Sequence, residues 1–347
     1  WSSFWVINSA SIAALAVAFA TYLSYFHPIT PFQSKLIAIM AIIVFTLLNI
    51  YRLRTGVWVQ NIITFLKIGG LVAIIILGFF LSGGETVNFQ PLLPDRNFSS
   101  LVPLFGLALV AALWSYDGWI EITYIGGEVN NPGRNIPLSL FLSILIIIVI
   151  YILVNIVFIF LLSLSVMAES PMVASDAISV VVGSAGTSIV VLLILVSTLG
   201  GVHVNILTSP RIYYAMAREK LFFDSLAKIH TKHGTPAFSL IVSGIWSSLL
   251  VFSSTFYQLI TYVVFVSWIF YAMSCAGVII LRYKQPNLER PYRTWGYPVV
   301  PAIFILFSCF LVINTIISDI PSALIGTGII LTGIPAYLYW KRKYPSN

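Results

Sequence analysis

Two residues of this chain carry charge where an apolar environment should forbid it. Lys67 sits in the run Ile63-Thr64-Phe65-Leu66-Lys67-Ile68, thirteen residues after Arg54. At about 1.5 Å per residue that is some 20 Å along a helix, near the middle of a bilayer. A charged side chain there costs at least about 2.5–3.5 kcal/mol, and it is too deep to snorkel easily to the interface. Lys67 therefore needs a partner or a protein-lined cavity, and it reads as an ion-like anchor or a proton site rather than a bystander. The second residue is Asp117, in Trp114-Ser115-Tyr116-Asp117-Gly118-Trp119, the middle of another apolar run. Gly118 weakens a helix at that point. A broken helix frees backbone N–H and C=O groups, which a membrane tolerates only where they line a cavity or hold a ligand. The N–H end suits a carboxylate and the C=O end an ammonium. The bland alternative is an unbroken helix with Asp117 facing a polar neighbour, Lys67 being one.

Weaker signals surround these two. Gly126 to Pro137 is a polar turn between helices, ended by Gly and restarted by Pro137. Within it, Glu128 and Arg134 are candidates for a gating ion pair, as readily as for a capped solvated loop. His203, Asn205 and Thr208 fall in one long apolar run, with Pro210 expected to kink it. A lone His in a helix is more often a hydrogen-bonded core residue than a ligand, and no Cys, His or carboxylate cluster of metal-site spacing accompanies it. Cys275 and Cys309 both lie in apolar runs and read as small buried hydrophobes. Nothing resembles a nucleophile–base set, so neither an enzyme nor a cofactor is expected.

The elements that must position these residues are membrane helices. Of 347 residues, 59% are hydrophobic and 8% charged, against roughly 25% charged in soluble domains. Apolar runs long enough to span fall at about 1–26, 33–51, 57–82, 103–126, 136–165, 184–217, 236–254, 258–282, 298–318 and 320–341. All Lys and Arg except Lys35, Lys67 and Arg96 lie in one set of alternate loops or ends. That set is cytoplasmic by the positive-inside rule, which places both ends of the chain inside. The net charge of +7 is spread over these short loops, so it does not indicate nucleic acid. The whole chain, 1–347, is one transmembrane domain. It opens with Trp1 in an apolar run, so its natural start is expected to lie upstream.

The residues above resemble the amino acid–polyamine–organocation transporter superfamily, and most closely its L-type (LAT-like) branch. Phe19-Ala20-Thr21-Tyr22-Leu23 is similar to that branch in its third helix. Val59-Gln60 followed by Lys67 is similar to its fifth, and Tyr116-Asp117-Gly118-Trp119 to its sixth. Glu128, Asn131-Pro132, Arg134-Asn135 and Pro137 match the loop that follows. Arg211 with Ala217-Arg218-Glu219 matches the end of the eighth helix; Leu288-Glu289-Arg290-Pro291 and Gly333-Ile334-Pro335 match the region from the tenth to the twelfth.

The resemblance implies an all-α membrane protein with a LeuT-like inverted-repeat fold. About ten transmembrane helices are present of a family twelve, here the third to the twelfth. It implies an amino acid as substrate, the lipid bilayer as setting and the plasma or inner membrane as location. Lys67 is similar to the family lysine that stands in for a sodium ion, which implies sodium-independent transport. Trp114 takes the place of an aromatic gate over the substrate, with Ser115, Tyr116, Asp117 and Gly118 on the unwound backbone. Trp268 matches a tenth-helix aromatic near the pocket, beside Ser267, and His203, Asn205 and Thr208 are the pocket candidates on the eighth helix. Animal members carry a heavy-chain cysteine in the loop after the third helix. Residues 24–34 hold none, so a disulfide-linked heavy chain is not expected. The implied activity is exchange of neutral L-amino acids by alternating access. Asp117 keeps a cationic amino acid or polyamine as the alternative, and a non-transporting scaffold is the reading from a different class.

Overall fold

The computed structural model describes residues 1–51, 56–81, 84–91, 97–124, 126–290 and 292–344, with the side chains of 56–60, 98, 99 and 128 left aside. Arg52, Arg54, Arg96 and Pro291 thus lie outside the described residues. The described chain is all helix and connection, without strands.

Twelve α-helices follow in order. They are α1 (Asn8–Leu23, entered through a π-helical turn at Ser3–Ile7), α2 (Pro31–Ile50), α3 (Gly56–Phe80), α4 (Phe98–Ser115), α5 (Glu121–Tyr124) and α6 (Pro132–Leu161). Then come α7 (Leu164–Glu169), α8 (Val173–Arg218), α9 (Ala237–Ser253), α10 (Phe256–Lys284), α11 (Val299–Ser318) and α12 (Ile320–Lys343). Among the described residues, eight helices are long and apolar enough to cross a membrane, and two shorter apolar ones, Ser100–Ser115 and Ala237–Ser253, lie at the remaining two expected spans. Local chemistry sets the starts. Thr30 and Gln33 form a capping box over α2, with Pro31 at its first position, and Thr255 and Gln258 do the same for α10. Asp319 Oδ1 accepts from the Ser322 amide at 3.2 Å, which closes the α11–α12 hairpin.

The span expected at 184–217 follows the one break in the helical geometry of α8, Gly183 at φ 64°, a conformation that favours glycine; a shorter helical stretch from Val173 precedes the break. Pro210 lies inside the helical stretch of α8, and the Ser209 hydroxyl beside it donates to the Asn205 carbonyl at 2.6 Å. Of the two cysteines, Cys275 is only half-buried and Cys309 is exposed. On a helix whose outer face meets hydrocarbon, a small apolar side chain gains nothing by turning inward, so the expectation of burial does not hold for Cys309.

The middle of the bundle is built on small residues. Ala10, Ala13, Ala14, Ala16 and Ala20 of α1 are essentially inaccessible, and α1 packs against α2, α8, α9 and α10. Small side chains let helix backbones approach in a medium where burial itself offers little drive. At Gly106 of α4 the approach is closest: a Cβ there would overlap the Asn314 amide of α11, whose Nδ2 donates to the Val102 carbonyl at 3.3 Å. Gly106→Ala is therefore expected to destabilise the protein by about 1–3 kcal/mol through overpacking. Thermal melting in detergent checks this, and an unchanged melting temperature would show that Asn314 yields freely.

Candidate functional site

α4 stops at Ser115, in the middle of the apolar run. The Tyr116 amide still reaches the Ala112 carbonyl at 3.2 Å, and the Asp117 amide closes back on the Trp114 carbonyl at 3.1 Å. Gly118 then takes φ 105°, a turn that a side chain would strain. The chain re-enters a helix as the Glu121 amide donates to the Gly118 carbonyl at 3.1 Å. Two tyrosines hold the break from other helices. Tyr271 of α10 donates to Asp117 Oδ1 at 3.1 Å, and Tyr151 of α6 donates to the Ser115 carbonyl at 3.4 Å.

Beside the break lies a cavity of about 400 Å³, within the range of small-molecule sites. Trp114, Ser115, Asp117 and Gly118 line it from the break and Glu121 from α5. Opposite them stand Lys67 of α3, Asn205 of α8, Tyr151 of α6, and Ser11 and Leu15 of α1. The cavity thus joins one ammonium group, two carboxyls, hydroxyls, an amide and an aromatic wall. Such a set can hold a zwitterion by both ends.

Lys67 gets there because α3 and α8 meet on glycine. A Cβ at Gly200 would lie 2.9 Å from Ile63 Cγ2, so the glycine lets α3 pack close on α8, and 3.6 Å from Lys67 Nζ, which places the ammonium at that contact. Gly201 beside it receives Leu15 of α1, whose Cδ1 would lie 3.1 Å from an added Cβ. Among the described residues Lys67 has no ion pair or hydrogen bond, so its charge is presented to the cavity.

The other sequence candidates divide. The Thr208 hydroxyl donates to the Val204 carbonyl at 2.9 Å and lies beside the Glu121 carboxyl, one turn of α8 from Asn205. Tyr116 turns its ring onto Tyr151, 5.0 Å between centroids. The His203 ring packs at 5.5 Å from that of Phe45 on α2, away from the cavity lining. Trp268 stacks on Phe304 of α11 at 5.4 Å. Ser267 is buried with its Oγ lacking a partner, and neither lines the cavity. Arg134 is exposed, and the side chain of Glu128 lies outside the described residues, so their pairing does too.

Five residues of the site escaped the sequence reading: Ser11, Leu15, Glu121, Tyr151 and Tyr271. Glu121 carried a usable signal, a second acid four residues after Asp117 in the same apolar run. The tyrosines carried none beyond being polar in apolar runs.

The model of the amino acid permease family matches residues 1–337. Large neutral amino acids transporter small subunit 2 of Mus musculus is 31% identical over 99% of this chain and 66% of its own length. Its counterpart in Homo sapiens is also 31% identical, with 65% of its length covered. The b(0,+)-type amino acid transporter 1 of Mus musculus is 32% identical over 92% of this chain and 66% of its own. The chain therefore spans just under two thirds of the length of these curated relatives. With a family match over nearly its whole length, the chain belongs to the amino acid permease family, among the L-type members of the amino acid–polyamine–organocation superfamily.

Proposed function

We propose that the protein is a sodium-independent transporter that exchanges neutral L-amino acids across the cell membrane by alternating access. The observation that carries this reading is the cavity at the α4 break, where Lys67 faces a discontinuous helix across space for one small zwitterion. Helix breaks of this kind, in the middle of a bundle, are where membrane carriers hold substrate. Trp114, edge-to-face with Phe256 at 5.5 Å, serves as the aromatic wall over the substrate. Lys67 supplies a fixed positive charge between α3 and α8, in place of a bound cation. The ten apolar helices correspond to the third to twelfth of the family, in one transmembrane domain with both ends of this chain cytoplasmic.

Relatives named as small subunits imply a companion chain for those proteins. In this chain the α1–α2 connection has no cysteine, and Cys275 and Cys309 lie in α10 and α11. A companion of this protein would thus be held without a disulfide from that connection.

A second reading, transport of a cationic amino acid, rests on the two carboxyls, Asp117 and Glu121, in one cavity. One relative also carries the b(0,+)-type name. Uptake of labelled leucine, alanine and arginine into proteoliposomes separates the two readings, and no uptake or exchange of any amino acid would leave only a scaffold. Replacing external sodium by choline is expected to leave uptake unchanged. A steep sodium dependence would remove the cation-substitute role from Lys67.

A further inference from the structure

The far end of α10 carries a second cleft, of about 700 Å³, lined by Ile279, Ile280, Arg282, Tyr283, Lys284 and Tyr297. α10 has 29 residues, about 44 Å of helix against a hydrocarbon core of about 30 Å. Its last turn therefore reaches the headgroup layer. The adjoining connection gathers Arg290 and Arg293 with only Glu289 in opposition, and Tyr283 and Trp295 stand 89% and 84% exposed, as aromatic side chains do at a membrane interface.

The cations here are not equivalent. Arg290 is spent on structure, since its guanidinium donates to the carbonyls of Leu281, Gln285, Pro286 and Leu288 and so caps α10. Arg282 differs. Its guanidinium lies 3.9 Å over the Tyr297 ring, which fixes its plane. Its Nε is buried without an acceptor, and among the described residues no ion pair or hydrogen bond reaches it or Lys284. Asp224, in the connection after α8, is already engaged by Lys220 at 3.3 Å and Lys343 at 3.8 Å. Below the charges, Ile279 and Ile280 give the cleft an apolar floor continuous with the lipid-facing side of α10.

We propose that this cleft seats one anionic phospholipid, its phosphate between Arg282 and Lys284 and its acyl chain along Ile279 and Ile280. A held guanidinium with free donors matches phosphate oxygens in pairs, and the apolar floor selects a lipid over a free ion. Native mass spectrometry of the purified full chain, titrated with phosphatidylglycerol, phosphatidylcholine or inorganic phosphate, tests this. One phosphatidylglycerol should be retained at least about tenfold more tightly than phosphatidylcholine, with about a fivefold loss for each charge removed in Arg282→Gln and Lys284→Gln. Equal retention of the two lipids, or an unchanged affinity in the double variant, would overturn the proposal. Release of the lipid by millimolar inorganic phosphate would do so too, by marking a free-phosphate site. If Arg282→Gln does not fold, Lys284→Gln, at an exposed side chain, must by itself show the fivefold loss.

Discussion

Lys67→Ala is expected to lower amino acid exchange by about 30- to 4,000-fold while the protein still folds. Lys67 lies in the middle of α3, faces the cavity, and has no ion pair among the described residues. Asp117 and Glu121 line the same cavity, but no ion pair joins either of them to Lys67 among the described residues. With a substrate carboxylate bound, Lys67 becomes one partner of a desolvated charge pair; truncating such a partner typically costs about 2–5 kcal/mol, and each 1.4 kcal/mol is about tenfold. The loss should appear in exchange and much less in melting temperature, because removing a lone charge from the bundle also removes its desolvation penalty. The measurement is exchange in proteoliposomes beside thermal melting of the same preparation. Exchange at the parental rate would refute the anchor role. A collapse of melting temperature together with exchange would make Lys67 a structural residue instead.

The course of the spans, and two of the residues that matter most, were legible because the bilayer makes charge conspicuous. Lys67 and Asp117 stand out in runs where nearly every neighbour is apolar, and Gly118 beside Asp117 marked the break. What could not be read was direction around each helix. His203 and Asn205 are two residues apart, about 200° around α8, so they cannot both face one cavity; the structure gives the cavity to Asn205 and α2 to His203. Asn205 and Thr208, three apart, share a face, and Thr208 accordingly meets Glu121. Trp268 and Tyr271, three apart on α10, also share a face, their rings 6.1 Å apart; depth along the helix decides there, and it is Tyr271 that reaches Asp117. An isolated polar residue in a helix states that it needs a partner and not which helix supplies one. The short helical stretch from Val173 to the break at Gly183 was not legible for another reason: Asp176, Ser179 and Gly183 make it read as a polar connection.

The two carboxyls should separate by what each contributes, and the variants at Asp117 test it. Tyr271 donates to Asp117 Oδ1 at 3.1 Å, a bond that an Asn side-chain oxygen can still accept and a Leu cannot. Asp117→Asn is therefore expected to keep leucine exchange within about threefold, while Asp117→Leu loses about 5- to 100-fold, the range of one unmade buried hydrogen bond at 1–3 kcal/mol. Tyr271→Phe should follow Asp117→Leu, since it removes the same bond from the other side. Charge is read separately, by excess arginine competing against labelled leucine. If the acids recognise a cationic side chain, arginine competes in the parent and ceases to compete in Asp117→Asn/Glu121→Gln, while leucine exchange persists. If arginine never competes, Asp117 serves the geometry of the break, and the substrate is neutral. Should Asp117→Asn fall as far as Asp117→Leu, the negative charge itself is required, and the hydrogen bond from Tyr271 serves to orient a charge rather than to hold the turn.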